Sequence, residues 1–297
     1  MDFPPIELFI GKVDVIHGTN AVLPPACFAR GVITVHDLSP ILYPQLCQPN
    51  FLPFADLVKR AVSRGALVHT PSEYVKGEII DVLGVPEDRV FVVPLGVPTD
   101  TVTPSTIEQE HDFHRMELPK LFVLAIGTIQ PRKDYKSLLL AFDILAKKND
   151  EVNLIIAGGN GWGYEEFIKV LAGLSAKNRV RHLGFVTEAQ RAELLSRATI
   201  LVYPSVYEGF GLPPLEAMAH AVPVVATIAG SIPEIVGEAA LLVPIGEPYA
   251  IAEQLSLLLE SETLRTEMIR RGLERASNFT WKKTADGLAD LYRLAGS

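Results

Sequence analysis

Short apolar runs recur along the chain, and each one ends in small or polar residues before an amphipathic segment begins. Such runs are too short and too continuously apolar for surface helices, which predicts strands that are buried on both faces. Alternation of these strands with helical segments predicts an α/β fold built on a parallel, doubly wound sheet. In the second half the runs are KLFVLAIGT (120–128), NLIIAGG (153–159), VRHLGF (180–185), TILVYPS (199–205), PVVAT (223–227) and ALLVPI (240–245).

The first half repeats this pattern with fewer units. Helical patterns lie near 54–64 and 73–83, while residues 98–119 are polar and contain three prolines, which is typical of a linker. We therefore predict two doubly wound domains and a separate C-terminal helix. Their predicted bounds are 1–110, 111–280 and 281–297. The apolar runs of the first half are VDVIHGT (13–19), GVITVHD (31–37), ALVHTPS (66–72) and RVFVVPLGV (89–97).

The composition excludes several classes of protein. A chain of 297 residues that is 48% hydrophobic can bury two cores, and a net charge of −8 argues against a general nucleic-acid binder. Two cysteines, Cys27 and Cys47, cannot form a disulfide scaffold, which indicates a reducing compartment. The N-terminus is acidic and contains prolines, and no apolar run reaches the roughly 20 residues of a spanning helix. We expect a cytoplasmic protein, at most peripheral to the inner membrane face.

The stretch VYEGFGLPPLEAMA (206–219) places two acids, Glu208 and Glu216, around a glycine turn and a double proline. Proline is tolerated in the first turn of a helix, so the helix is predicted to begin there. Free amides over 209–212, together with the helix dipole, predict a phosphate site at that end. The two carboxylates would then meet hydroxyl groups of a sugar and of a ribose. Alternatively, Glu216 is a first-turn acid that stabilises the helix through its dipole.

A pair of cations agrees with an anion site. Arg132 and Lys133 lie directly before a helix whose predicted N-cap is Asp134. Cations at a helix N-terminus are unfavourable by roughly 0.3–1 kcal/mol each. The pair is explained if it binds an anion, and a bidentate guanidinium beside an ammonium suits a pyrophosphate. The alternative is a solvated pair of surface charges.

These segments together resemble the retaining glycosyltransferases of family 4, which have the GT-B architecture of two facing Rossmann-like domains. The similar segments are GTIQPRKDYKSLLLAF, LIIAGG, VRHLGFV, LVYPSVYEGFGLPPLEAMAHAVPVVAT and GSIPEIVGEAALLV. They cover nearly all of residues 120–245 in the family's order, and the E-x7-E pattern within them is specific. In the first half, DVIHGTN, VITVHDLSPILYP and VVPLGV are similar as well, with less specificity.

The resemblance implies a role for each candidate residue. Arg132 and Lys133 would neutralise the donor's diphosphate, Glu208 would hold the donor sugar, Glu216 the ribose hydroxyls, and backbone near Val186 the base. The implied donor-binding set is Gly127, Thr128, Arg132, Lys133, Val186, Glu208, Gly209, Phe210, Gly211, Leu212 and Glu216, and the implied catalytic set is His36, Glu208, Arg132 and Lys133. No metal or cofactor is expected, although two histidines in HDFH, His111 and His114, raise a weak zinc alternative.

His36 would lie beside the reacting sugar, although a histidine at a strand end is more often a structural hydrogen-bonding residue. The expected reaction is transfer of a sugar from a nucleoside-diphosphate donor to a saccharide or lipid-linked acceptor. The segment VHDLSPILYP looks most like mannosyltransferases that use GDP-mannose. The alternative is a non-catalytic or weakly active nucleotide-sugar-binding subunit that needs a partner.

The start of this chain looks like the middle of the first domain of such a glycosyltransferase. The first half of the chain has four strand candidates, against six in the second half. We therefore expect an N-terminally shortened acceptor domain that associates with itself or with a partner subunit. The resemblance also implies that the C-terminal helix crosses back to the first domain.

Overall fold

The computed structural model describes residues 4–48, 53–98 and 117–297. The chain forms two compact units. The first unit comprises Met1–Gly96, Glu208–Phe210 and Phe279–Ser297, and the second comprises Val97–Tyr207 and Gly211–Asn278. The predicted boundary at 110/111 and most of the predicted linker lie outside the described residues.

The first unit contains a four-stranded parallel sheet with the order β1-β2-β3-β4. All four strands occur where apolar runs predicted them. They are β1 (Val15–Gly18), β2 (Arg30–Thr34), β3 (Leu67–Thr70) and β4 (Val90–Val92). The helices before the second unit are α1 (Glu7–Ile10), α2 (Ser39–Leu42), α3 (Phe54–Ser63) and α4 (Glu73–Leu83).

The second unit contains a six-stranded parallel sheet with the order β10-β9-β8-β5-β6-β7. Its strands again match the predicted runs: β5 (Phe122–Ile126), β6 (Asn153–Ala157), β7 (Val180–His182), β8 (Ile200–Tyr203), β9 (Val224–Thr227) and β10 (Ala240–Val243). Its helices are α5 (Tyr135–Ala146), α6 (Tyr164–Gly173), α7 (Glu188–Arg197), α8 (Leu212–Ala219), α9 (Ile232–Val236), α10 (Pro248–Glu260) and α11 (Glu262–Ala276). The predicted α/β class with two parallel sheets is therefore confirmed.

The strand order of the second sheet places a topological switch point between β5 and β8. The chain continues from β5 to β6 and β7 on one side of the sheet, and β8, β9 and β10 lie on the other side. Ligands of open parallel sheets bind outside the carboxyl ends of the strands at such a point. The turn after β5 and the loop after β8 are therefore the places where a site is expected.

The C-terminal helix α12 (Trp281–Gly296) packs on the sheet of the first unit, against β1 and β2. Leu291 of this helix is buried with Val32 and Leu67 of the sheet. The start of α12 also lies directly on Gly96, where a Cβ atom would come 2.2 Å from the backbone nitrogen of Trp281. This approach requires a glycine at position 96.

Candidate functional site

The turn after β5 is hydrogen-bonded to the loop after β8. Pro131–Lys133 forms one turn of 3₁₀ helix, in which the Arg132 carbonyl accepts a hydrogen bond from the backbone N–H of Val206 at 2.8 Å. The guanidinium of Arg132 donates in turn to the carbonyl of Tyr207 at 2.8 Å. Arg132 therefore lies at the switch point of the sheet and also orders the loop that leads to Glu208.

Lys133 lies at the same point. Its Nζ is 2.6 Å from the hydroxyl of Tyr203, at the end of β8, and 4.6 Å from the centre of that ring. Both Lys133 and Arg132 are half-buried, and Tyr203 is buried. The side chain of Lys133 also runs beside Gly127 at the end of β5. The contacts give the ammonium a defined position at the carboxyl ends of β5 and β8.

Helix α5 follows these cations and begins as predicted. Asp134 is its N-cap, and the Asp134 carboxylate accepts a hydrogen bond from the backbone N–H of Ser137 at 3.1 Å. This cap satisfies an amide of the first turn. The two cations directly before it still lie at an unfavourable end of the helix dipole, so a bound anion would stabilise them.

Helix α8 begins at the double proline, as the sequence predicted. Its first residue is Leu212, its N-cap is Gly211 with a φ of 122°, and Pro213 and Pro214 follow in the first turn. Proline has no N–H group, so the amide donors at this end are restricted to Gly211, Leu212 and the residues before them. The backbone amide donors at the start of α8 therefore lie within the stretch that was predicted to bind phosphate.

The residues just before α8 belong to the first unit and lie against His36. Glu208 is buried, with 7% of its surface exposed. The carbonyl of Gly209 accepts a hydrogen bond from the Ser72 hydroxyl at 2.8 Å. A Cβ atom on Gly209 would lie 2.0 Å from the carbonyl oxygen of His36, so only glycine fits there. Two predicted site residues, His36 and Gly209, are thus brought together.

His36 is exposed, and its Nε2–H donates a hydrogen bond to the carbonyl of Thr19 at 3.0 Å. In the neutral ring this bond leaves Nδ1 as the acceptor nitrogen. Phe210, which follows Gly209 in the first unit, is buried. Its ring packs edge-on against that of Phe279, with ring centres 5.9 Å apart.

Glu216 has a partner that sequence reasoning missed. The guanidinium Nη2 of Arg191, in the first turn of α7, donates to Oε2 of Glu216. The Nδ1–H of His220 donates to the backbone carbonyl of Glu216 at 2.8 Å. The ion pair joins residues 25 positions apart in the sequence, and no local motif signals it. Arg191 is exposed over 31% of its side chain and Glu216 over 12%.

The predicted site residues divide between the two units. Val186 lies half-buried in the loop before α7, and Thr128 is exposed after β5. The first unit contains His36, Glu208, Gly209 and Phe210, and the second contains Gly127, Thr128, Arg132, Lys133, Val186, Gly211, Leu212 and Glu216.

The described residues, 4–48, 53–98 and 117–297, contain neither a cluster of metal ligands nor a membrane-spanning helix. No group of three or more His, Cys, Asp or Glu side chains within these ranges could hold a metal ion. His111 and His114 lie outside the described residues. Within the same ranges, none of the helices has both the length and the apolar character needed to cross a membrane.

Comparison with known proteins identifies the family. The model for "Glycosyl transferases group 1" matches residues 106–275, and that for "Glycosyltransferase Family 4" matches residues 6–101. The chain is 30% identical over 283 residues to the O-antigen chain mannosyltransferase B of Escherichia coli, which covers 94% of this chain and 74% of that protein. The chain belongs to the group 1 glycosyltransferases. It is therefore a glycosyltransferase, and the predicted resemblance is confirmed at the level of the family.

Other relatives of this glycosyltransferase differ in length. It is 28% identical over 267 residues to the serotype-specific mannosyltransferase WbdA of Escherichia coli, covering 86% of this chain and 32% of that one. The chain thus spans about a third of the length of WbdA.

Solved glycosyltransferases share the fold. A glycosyltransferase of Rickettsia africae aligns over 98% of this chain and 78% of its own, with a TM-score of 0.77 and 18% identity. Anabaena HepE, solved in complex with UDP-glucose, aligns over 88% of this chain and 72% of its own, with a TM-score of 0.73 and 22% identity. These matches confirm the GT-B fold class.

Proposed function

We propose that this glycosyltransferase transfers mannose from GDP-mannose to a saccharide or lipid-linked acceptor, with retention of the anomeric configuration. The mannosyltransferase activity in the name of the Escherichia coli relative supports mannose as the sugar. The segment VHDLSPILYP, which resembles that of mannosyltransferases that use GDP-mannose, supports guanine as the base of the donor nucleotide. Retention is the stereochemistry that the family resemblance implies.

The observation that carries the proposal is the position of Arg132 and Lys133 at the switch point of the second sheet. In sugar transfer the bond between the anomeric carbon and the diphosphate breaks, and its electron pair stays on the phosphate oxygen. Fixed cations near that oxygen stabilise the charge as it develops, which is electrostatic catalysis. The same two side chains would supply the neutralisation for which other transferases use a metal, so we propose that no metal or cofactor is needed.

The remaining residues complete the proposed donor site. Amides at the start of α8 would bind phosphate, and the backbone near Val186 would receive the base. Glu216 would accept hydrogen bonds from the ribose hydroxyls, and Glu208 from the donor sugar. His36 would lie beside the reacting sugar. As the acceptor oxygen forms the new glycosidic bond, its proton would pass to the departing diphosphate oxygen.

Replacement of Lys133 tests this proposal more cleanly than replacement of Arg132, because Arg132 also orders the Tyr207 loop. Lys133→Met should lower kcat by about 10²–10³, the usual effect of removing one fixed charge donor. The matched control is Lys136→Met, three residues along. The Lys136 side chain is 61% exposed, and its Nζ lies 3.9 Å from a carboxylate oxygen of Glu166. The control should keep wild-type turnover and Tm. Lys133→Met should stay folded and lose about 1 kcal/mol of stability with its hydrogen bond to Tyr203. Wild-type turnover in Lys133→Met would refute the assignment.

The alternative from the sequence, a nucleotide-sugar-binding subunit without activity of its own, is not favoured, because the similar proteins are named as transferases. Calorimetry that detects donor binding, combined with no transfer to any acceptor pool, would support that alternative. Measurement of the mass in solution would test the expected self-association through the first domain.

A further inference from the structure

Arg191 is held in one place by the start of its helix. Helix α7 begins with a complete capping box, in which the Thr187 hydroxyl accepts from the Gln190 backbone and the Gln190 side chain accepts from the Thr187 backbone. Arg191 follows directly and reaches across to Glu216 in α8. The ion pair therefore joins the helix after β7 to the helix after β8, and the Glu216 side chain is 12% exposed.

Two polar atoms beside this pair are buried without a partner in the described part of the chain. They are the Nε of Arg191 and the Nε2 of His220. Because the His220 Nδ1–H donates to the Glu216 carbonyl, the neutral ring presents Nε2 as an acceptor. Burial lowers the pKa of His220, and the charge of Arg191 lowers it further, so the ring stays neutral at neutral pH. A buried donor and acceptor without partners mark a place that solvent or a ligand completes.

A carboxylate can accept about four hydrogen bonds through its two oxygens. Nη2 of Arg191 occupies one acceptor position on Oε2 of Glu216. The positions on Oε1 can accept hydrogen bonds from other donors. A guanidinium also confines a largely buried carboxylate to one rotamer. These are the requirements for a carboxylate that accepts two hydroxyl groups from a vicinal diol.

We infer that Arg191 is a positioning residue that orients the Glu216 carboxylate toward the ribose diol of the donor nucleotide. The inference rests on the proposed role of Glu216 in ribose binding. Arg191 acts through Glu216 and stabilises bound nucleotide before and after transfer alike. Its loss should therefore raise KM for the donor and change kcat little. A purely structural clamp between α7 and α8 would instead affect every ligand equally.

Calorimetry with two nucleotides separates these roles. The probes are GDP and 2′,3′-dideoxy-GDP, which lacks both ribose hydroxyls, and the variants are Arg191→Met, Arg191→Lys and Arg197→Met. Arg197 is the matched control, because it lies on the same helix and pairs with Glu193 at 3.3 Å. The wild type should bind GDP about tenfold or more tighter than the dideoxy nucleotide, since unmade hydrogen bonds to a charged group cost about that much. Arg191→Met should bind GDP about tenfold more weakly and leave dideoxy-GDP unchanged.

The other possible results test the role of Arg191 and the role of Glu216 separately. A wild type that discriminates between the nucleotides, with an Arg191→Met variant that keeps the same ratio, would overturn the role of Arg191 and leave the proposed function intact. A wild type that binds both nucleotides equally would overturn the ribose role of Glu216 and with it this inference. A wild type that binds neither would overturn the guanine nucleotide of the proposed function, on which the inference rests. Arg191→Lys should give an intermediate ratio, and a wild-type ratio there counts against the inference even if Arg191→Met fails to fold. Arg197→Met should match the wild type.

Discussion

Gly209 lies against the backbone of the loop that carries His36. This contact predicts that a larger residue at position 209 lowers both stability and turnover. In Gly209→Ala the new Cβ would lie 2.0 Å from the His36 carbonyl oxygen and 2.7 Å from Cβ of Asp37. No side-chain rotation relieves a clash with backbone, so the segments must separate. We expect a loss of stability of about 1–3 kcal/mol, as for overpacked cores. Turnover should fall by about 10²-fold, since misplaced site residues have effects of that size.

The control for Gly209→Ala is Gly77→Ala in helix α4, where a Cβ atom would meet nothing within 4 Å. That change should stabilise the protein by about 0.5–1 kcal/mol, because alanine favours helix over glycine. Urea unfolding and turnover measure both variants. A Gly209→Ala variant that is as active and as stable as the wild type would show that the contact with His36 is not needed.

Individual residues differ in how far the sequence could predict them. Arg132 and Lys133 could be singled out because cations before a helix are locally unfavourable, and Asp134 because a cap is a local motif. The partner of Glu216 could not, because Arg191 reaches it only once α7 and α8 are packed side by side. Long-range ion pairs depend on tertiary packing and leave no signal in the sequence spacing.

At the scale of elements, a chain of hydrogen bonds ties α12 to the sheet of the first unit. The Tyr292 hydroxyl lies 2.7 Å from His17 Nδ1, and His17 Nε2 lies 2.8 Å from the Thr34 hydroxyl. Thr34 donates to Nδ1 of His69 at 2.9 Å, and the His69 Nε2–H donates to the Val93 carbonyl at 2.9 Å. Because the Val93 carbonyl can only accept, neutral rings give a network in which all donors run in one direction, from Tyr292 to Val93.

This network predicts acid sensitivity. Burial, followed by the neighbouring His69 and His36, lowers the pKa of His17 from 6.5 to about 4. Burial lowers the pKa of His69 as well. A histidine with a lowered pKa in the folded state contributes stability above its unfolded pKa, and that stability is lost as the pH falls from 6.5 towards 4. After solvent screening of the half-buried ring is allowed for, His17 should contribute about 1–2 kcal/mol.

The measurement is the free energy of urea unfolding at pH 7.0 and at pH 5.0. The wild type should lose stability between these values, and His17→Gln, which cannot be protonated, should lose less. Equal losses in the two proteins would show that the titration of His17 does not control the acid response.

The elements themselves were largely predictable from the sequence, since continuous apolar runs identified all ten described strands. The four-residue helices α1 and α2 were not predicted, because so short a segment carries no periodicity. The segment TEAQ at Thr187 forms a capping box, whereas SIPE at Ser231, which has the same Ser/Thr-x-x-Glu/Gln spacing, does not. Ser231 has the helical angles φ −73° and ψ −7°, and its hydroxyl makes no capping bond to α9.

At the scale of the whole molecule, the E-x7-E segment contributes to both units. Glu208–Phe210 belongs to the first unit, while Tyr207 and Gly211 on either side belong to the second. The sequence order placed this segment wholly in the donor domain, because apolar periodicity shows where strands lie and not which neighbours a loop contacts.

Proton NMR of one reaction mixture tests the central claim most directly. The enzyme is incubated with GDP-mannose, UDP-glucose and a pool of mannose-terminated saccharide and lipid-linked acceptors. We predict release of GDP and formation of an α-mannoside, with UDP-glucose unchanged. Consumption of UDP-glucose with GDP-mannose left intact, or a β-linked product, would contradict the account.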